Sequence, residues 1–346
     1  MRETDGGILF RVDGSHVLGM GHVIRCLSLA TALKSSIDNR SLSLPIYFAT
    51  RHDPAVLIVL GQSPFSNNVR IVSPGNEEIE SFHAILNELR PRVVITDIDL
   101  RGRVSYYSSV IYPGALSVSI HEHNYRLLSG DIVIAPTVRP LDIAPGGTIG
   151  VTHFNGPEYI LLSPDIPIRR NTAPKISEKL DLGFVSFGGS DPNRLTIGFL
   201  DYLIGKQFPV MWDFVLGPAG DYDAGVLNAA YKGRFRFHDG SALGRSGFLD
   251  LLGKADLVVT NGGTTLYESL AMCRPTISIA QNSFEADVVR RMVEAGACVG
   301  SWEAVDKLVE KPADRIRLAK KGGTLIDGKG CERVAELVLS RLDKSG

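Results

Sequence analysis

Two residues able to do proton-transfer chemistry, an acid and a histidine, stand close together in FRVDGSHVLGMGHVIRCLSLATAL, residues 10–33, with an arginine beside them. Asp13 ends an apolar run, His22 follows the turn Gly19-Met20-Gly21, and Arg25 comes three residues later. Helical spacing begins at about His22, with Val23, Leu27 and Ala30 as the buried stripe. His22 then sits in the first helical turn, where the helix dipole opposes positive charge and a neutral imidazole can act as a general base. Arg25 can share its face of the helix. A strand end, two glycines and a helix mouth together suggest a ligand-facing pocket. The alternative is a tight turn in which His22 only caps or packs. The glycines do not complete GxGxxG, which speaks against a dinucleotide site.

Two later segments have the composition of anion sites. FVSFGGSDPNRLT, residues 184–196, reads as a strand, then Gly188-Gly189-Ser190, then a helix capped by Ser190 or Asp191 with Pro192 near its start. LVVTNGGTTLYESLA, residues 257–271, is a buried strand followed by Asn261-Gly262-Gly263 and a helix opened by Thr264 and Thr265. Backbone N–H groups and threonine hydroxyls at that helix start suit a diphosphate. Glu268 lies four residues after Thr264, on the same helical face, where a carboxylate can accept a ribose diol. Each has a plain structural alternative: an ordinary turn, and a solvated helix glutamate.

These loops need strands to hold them. Apolar runs at 8–12, 46–50, 69–72, 93–96, 116–120 and 132–135 in the first half, and at 182–187, 213–216, 235–237, 257–260 and 276–279 in the second, alternate with amphipathic segments such as 77–89, 285–295 and 312–326. Strands rich in Val, Ile and Leu with intervening helices predict α/β architecture: two doubly wound parallel sheets with a cleft between them. Ligands in such sheets sit beyond the carboxyl ends of the strands. The proline-rich, charged stretch 163–179 reads as a linker, and 136–156 as loop. The predicted domains are 1–165 and 177–346. The sequence leaves open whether the last helix, about 332–342, packs back on the first domain.

With 346 residues the chain is long enough for two cores. Hydrophobic residues make up 44% and charged residues 22%, as in a globular enzyme or binding protein. A net charge of −1 gives no general attraction to nucleic acid or an anionic membrane. MRETDGG carries no apolar run, and no stretch approaches the roughly 20 residues of a membrane span, so no leader, no membrane insertion and a cytoplasmic setting are expected. Cys26, Cys273, Cys298 and Cys331 form no CxxC pair and are expected as free, mostly buried thiols. Oligomeric state is not readable.

Taken together, the motifs Phe10-Arg11-x-Asp13, Gly19-x-Gly21-His22-x-x-Arg25-Cys26-Leu27, Phe187-Gly188-Gly189-Ser190-Asp191-Pro192-Asn193 and Gly262-Gly263-Thr264-Thr265-x-x-Glu268 resemble those of a known group. It comprises the UDP-2,4-diacetamido-2,4,6-trideoxy-β-L-altropyranose hydrolases of the pseudaminic acid pathway and related spore-coat polysaccharide proteins. These are similar in turn to the C-terminal half of the N-acetylglucosaminyltransferase that makes lipid II. The order and spacing fit from Ile8 to about Ala297. The first motif is fairly specific to the hydrolases; the last is shared with many GT-B glycosyltransferases.

The resemblance implies a GT-B fold, UDP held mainly by the C-terminal domain, and a UDP-sugar as substrate, with no cofactor and no metal. It implies that His22 is the general base on a water that attacks the anomeric carbon, releasing UDP and free sugar. Gly189, Ser190, Thr264 and Thr265 would bind the diphosphate, with Gly188, Asn261, Gly262 and Gly263 in the same loops, and Glu268 the ribose. Asp13 and Arg25 would shape the catalytic, sugar-facing end, with Gly21, Gln281 and Asn282 on the sugar side. Two departures bear on the sugar. His121-Glu122-His123 replaces an acidic pair, and Gln281-Asn282 stands where Asn-Gln is usual. His121 and His123 could ligate a metal with Asp97 or Asp99, but their spacing makes a polar loop the preferred reading. A GT-B glycosyltransferase and a catalytically silent nucleotide-sugar binder stay open beside the hydrolase.

Overall fold

The computed structural model describes residues 6–15, 18–98, 111–121, 130–139, 151–217 and 220–344. They fall into two compact units, 1–164 with 329–346, and 165–328.

The first unit holds β1 (Ile8–Val12), α1 (Gly21–Asn39), β2 (Ile46–Arg51), α2 (Pro54–Gly61), β3 (Val69–Val72), α3 (Glu78–Leu89), β4 (Val93–Asp97), β5 (Leu116–Ile120), β6 (Ile132–Ala135) and β7 (Thr152–Asn155). Its seven strands are parallel, in the order β3-β2-β1-β4-β5-β6-β7. The second unit holds α4 (Asp165–Thr172), β8 (Leu182–Ser186), α5 (Leu195–Ile204), β9 (Met211–Leu216), α6 (Ala224–Ala230), β10 (Phe235–Asp239), α7 (Gly240–Lys254), β11 (Leu257–Thr260), α8 (Thr264–Ala271), β12 (Thr276–Ser278), α9 (Ser283–Glu294), α10 (Ala304–Glu310) and α11 (Pro312–Leu325). Its five strands are also parallel, in the order β10-β9-β8-β11-β12. The final helix, α12 (Gly330–Lys344), belongs to the first unit.

Central strands buried on both faces explain the unbroken apolar runs: every residue of β1 is buried, as is every residue of β11. In the first unit Phe10 stacks on Phe48 at 5.0 Å between ring centroids. The inner side of α1 (Cys26, Leu29, Leu33) shares that core with Val334, Val338 and Leu339 of α12. In the second unit Phe199, Trp212 and Phe214 fill the corresponding space.

Two segments differ from the sequence expectation. The stretch 163–179 contains α4, because Pro167 falls in the first helical turn, where its missing N–H has no partner to lose. The stretch 136–156 contains β7, a four-residue edge strand, Thr-His-Phe-Asn, with too little apolar pattern to stand out. Residues 140–150 of that stretch lie outside the described residues. Among the described residues no helix is long and apolar enough to cross a membrane.

Each sheet reverses its winding once, between β1 and β4 in the first unit and between β8 and β11 in the second. Such switch points open a crevice beyond the strand ends, because the flanking connections leave to opposite sides. The predicted motifs follow β1, β8 and β11, so all stand at a switch point.

Candidate functional site

In the first unit the register pairs Val12 of β1 with Asp97 of β4. β4 thus runs one residue past its apolar pattern and ends on a carboxylate beside the loop leading to α1. Gly19, at φ +78°, turns that loop, and α1 starts at Gly21 without a side-chain cap on its N-terminus. Gly21 is exposed, with open space where a side chain would stand.

His22 and Arg25, one helical turn apart, both reach Asp97. His22 Nδ1 lies 2.6 Å from Oδ1, while Arg25 donates from Nε to Oδ2 at 2.5 Å and from a terminal nitrogen to Oδ1 at 2.7 Å. Burial pushes the Asp97 carboxyl up, but Arg25 and then His22 outweigh it and hold it far below the usual carboxylate range. Asp97 is therefore a buried anion with its charge neutralised by Arg25. An Arg25 terminal nitrogen also lies 3.2 Å from His22 Nδ1. The two contacts demand opposite tautomers, and the shorter one, to an ionised acceptor, decides. In the neutral ring Nδ1 then carries the hydrogen and Nε2 the lone pair. The His22 side chain is 30% exposed against 1% for Asp97, so the imidazole is the accessible end of the pair. Burial pushes the Cys26 thiol beside Asp97 well up, so it stays protonated.

Asp13 takes a different course. Its carboxylate is held bidentately by the fully buried Arg11, at 2.7 and 2.9 Å, and accepts the backbone N–H of Arg51 at 3.0 Å. Arg11 and Arg51 also donate to Glu78 at the start of α3. This buried network ties the ends of β1 and β2 to α3, while His22 is served by Asp97.

His121, just past β5, is buried and donates its backbone N–H to Ile134. Asp99, Glu122 and His123, the other residues weighed for a metal, lie outside the described residues, as do the first five of the chain. Cys26, Cys298 and Cys331 are buried free thiols and Cys273 is a half-buried one.

In the second unit the loops after β8, β11 and β12 are laced together. Gly188 adopts φ +82°, and a Cβ there would stand 3.4 Å from Asn261 Nδ2. Gly217, at the end of β9, presses on the same loop: a Cβ would fall 2.1 Å from the Gly188 carbonyl oxygen. Gly189 and Ser190 are exposed, and nothing crowds Gly189. Asp191 caps the next helix, accepting the N–H groups of Leu195 and Thr196 at 2.8 and 2.9 Å. Tyr222 donates to Asp191, and burial followed by that carboxylate pushes the phenol up to about 12.

Glu285 acts as a buckle across the other two loops. It accepts from Asn261 Nδ2 at 2.9 Å, from the Gly262 N–H at 3.2 Å and from the Gln281 N–H at 2.8 Å. Gln281 donates its amide to the Phe187 carbonyl at 2.7 Å, and Asn282 caps α9 through the Glu285 N–H at 2.9 Å. Gly263 begins α8 without a side-chain cap, leaving Thr264 exposed and Thr265 half-buried at a helix N-terminus. Glu268 is buried, and its Oε1 accepts from Arg245.

No protein-family model matches the chain. Two curated relatives do. The spore coat polysaccharide biosynthesis protein SpsG of Bacillus subtilis is 25% identical over 349 residues, 94% of this chain and 96% of the relative. The uncharacterized protein MJ1062 of Methanocaldococcus jannaschii is 26% identical over 293 residues, 80% of this chain and 56% of the relative. The chain thus spans about half the length of the archaeal protein and nearly all of the bacterial one. Solved structures align along almost the whole chain. Acinetobacter baumannii MurG superposes with a TM-score of 0.62 at 11% identity, covering 96% of this chain and 99% of that one. The calicheamicin glycosyltransferase CalG4 gives 0.64 at 15% identity, covering 99% of both. The UDP-GlcNAc 2-epimerase of Neisseria meningitidis, bound to UDP-GlcNAc, gives 0.59 at 13% identity, covering 96% and 100%.

This is a GT-B fold. Within its two units the structure groups His22 with Arg25, and Gly188 with Asn261 and Gln281. It gives Asp13 to a separate network. Three participants were not found as site residues from the sequence: Asp97 as the partner of His22, Glu285 as the buckle, and Arg245 on Glu268. Two left a signal. Asp97 closes the apolar run of β4, and Asn282-x-x-Glu285 has the spacing of a capping box. Arg245 left none.

Proposed function

We propose that the protein is a nucleotide-sugar hydrolase that cleaves the anomeric C–O bond of a UDP-linked amino sugar, in cell-surface glycan biosynthesis. The observation that carries the reading is the His22–Asp97 contact of 2.6 Å, an accessible base backed by a buried anion. Nε2 of His22 takes a proton from water, the oxygen attacks the anomeric carbon, and the bond to the β-phosphate oxygen breaks, with UDP leaving. Asp97 orients the ring and stabilises the imidazolium that forms. Arg25 holds Asp97 ionised, and Asp13 acts at a distance by fixing the strand ends.

Gly188, Gly189, Ser190, Thr264 and Thr265 receive the diphosphate, supported by the open helix start at Gly263. Asn261 and Gly262 shape that turn, Glu268 takes the ribose, and Gly21, Gln281 and Asn282 border the sugar. Support comes from the name of the bacterial relative, a polysaccharide biosynthesis protein, and from a structural neighbour that binds UDP-GlcNAc. The sugar we favour is of the diacetamido-trideoxyhexose type implied by the motif resemblance.

The same base could deprotonate an acceptor hydroxyl, and glycosyltransferases such as CalG4 share the fold, so transfer is the second reading. Incubation with a panel of UDP-sugars and no acceptor separates them. UDP release is expected; UDP binding without release would overturn hydrolysis in favour of transfer or silent binding. Glu268→Ala should weaken UDP binding, and unchanged affinity would remove Glu268 from the ribose.

A further inference from the structure

Glu268 is 1% exposed on α8, yet it reaches Arg245 on a different helix. A buried carboxylate stays ionised only with a charged or strongly donating partner. Among the described residues Arg245 is that partner, and its bond goes to Oε1, leaving Oε2 without one. Arg245 is set at a break in its own helix. Gly244, at φ +66° and ψ 174°, interrupts α7, so that residues 240–243 and 245–254 run as separate helical pieces. That conformation is open to glycine and costly for other residues. The Arg245 guanidinium lies 5.6 Å from the Phe248 ring centroid, and its side chain is 38% exposed. One terminal nitrogen thus bonds the buried Glu268 while about a third of the side chain stays open to solvent.

We propose that Arg245 is the positioning residue that makes Glu268 a reader of the ribose 2′-hydroxyl. By pairing its charge with Oε1 it fixes the carboxylate plane, so Oε2 is presented as an acceptor to the sugar diol. A swivelled carboxyl at the same place would accept more weakly and would not distinguish ribose from 2′-deoxyribose. The inference rests on the proposed assignment of Glu268 to the ribose and adds the residue on which its selectivity depends.

The test is a titration of the full chain with UDP and with 2′-deoxy-UDP. Wild type should bind UDP roughly tenfold or more tightly, the size expected for a hydrogen bond to a charged acceptor. Arg245→Ala should bring the two affinities within about threefold by losing UDP affinity while 2′-deoxy-UDP binding changes little. Arg245→Lys, which retains the charge, should restore most of the preference. Should Arg245→Ala not fold, Arg245→Gln, which keeps a donor but no charge, is read in its place and should also lose the preference. A preference that survives removal of the charge would overturn the role of Arg245 and leave the ribose assignment of Glu268 standing. UDP binding by wild type with no preference over the deoxy form would overturn both.

Discussion

Nδ1 of His22 stands 2.6 Å from Oδ1 of Asp97, although 75 residues separate the two in the chain. The parallel register of β1 and β4 creates the pair, because it sets Asp97 level with the strand end from which α1 departs. A half-exposed imidazole fixed by a buried carboxylate has one ring nitrogen free for proton transfer.

His22→Ala should therefore lower turnover by about 10²-fold or more while UDP affinity stays near wild type. The fold should tolerate the change, since the ring is partly exposed. UDP release in steady state, with UDP binding measured in parallel, checks it. Activity close to wild type would remove His22 as the base.

Asp97→Asn should cost both activity and stability, because it leaves Arg25 without its buried anion. Breaking such a pair typically costs about 3–5 kcal/mol. The sign with pH follows from the depressed native carboxyl. Burial opposes ionisation, but Arg25 and His22 prevail, so the unfolded chain binds the proton more readily than the native one. The stabilisation is complete above the unfolded value of about 4 and is lost as pH falls from there through the lower native one. Denaturant melts of wild type between neutral and acid pH should show this loss, and Asp97→Asn should show less of it. Equal acid slopes in the two proteins would contradict the assignment.

Two glycines in the second unit should behave oppositely. Gly217→Ala forces a Cβ against the backbone oxygen of Gly188, so the 188–190 loop must shift, at about 1–3 kcal/mol. Gly189→Ala meets nothing within 4 Å and should melt like wild type. If a diphosphate lies against Gly189, that variant should still lose UDP affinity. Thermal melts and UDP titrations of both variants decide, and unchanged UDP binding by Gly189→Ala would move the diphosphate elsewhere.

Asp13→Ala should separate scaffold from chemistry. It strips the buried Arg11 of a bidentate partner and should lower stability by about 3–5 kcal/mol. The protein that remains folded should keep kcat within a few-fold, assayed at low temperature where the folded fraction is measured by circular dichroism. A drop as deep as that of His22→Ala would return Asp13 to the catalytic group.

The sequence by itself determined the local parts. Apolar runs of three to six residues mark strands because both faces of a parallel sheet are buried, and eleven of the twelve described strands stand where those runs are. The glycine turns mark loops because a positive φ and a close backbone approach, as at Gly188 and beside Gly217, leave little room for other residues. His22 and Arg25 were legible as a pair since three residues along a helix bring side chains to one face. Missing were β7, an edge strand with too weak an apolar pattern, and α4, hidden by a proline in its first turn. The tertiary structure alone decided partnership. Strand order put Asp97 rather than Asp13 beside His22, and the break at Gly244 brought Arg245 to Glu268. A carboxylate's role depends on which buried cation it meets, and that is set by strand register and helix packing across dozens of residues, where sequence spacing carries no signal.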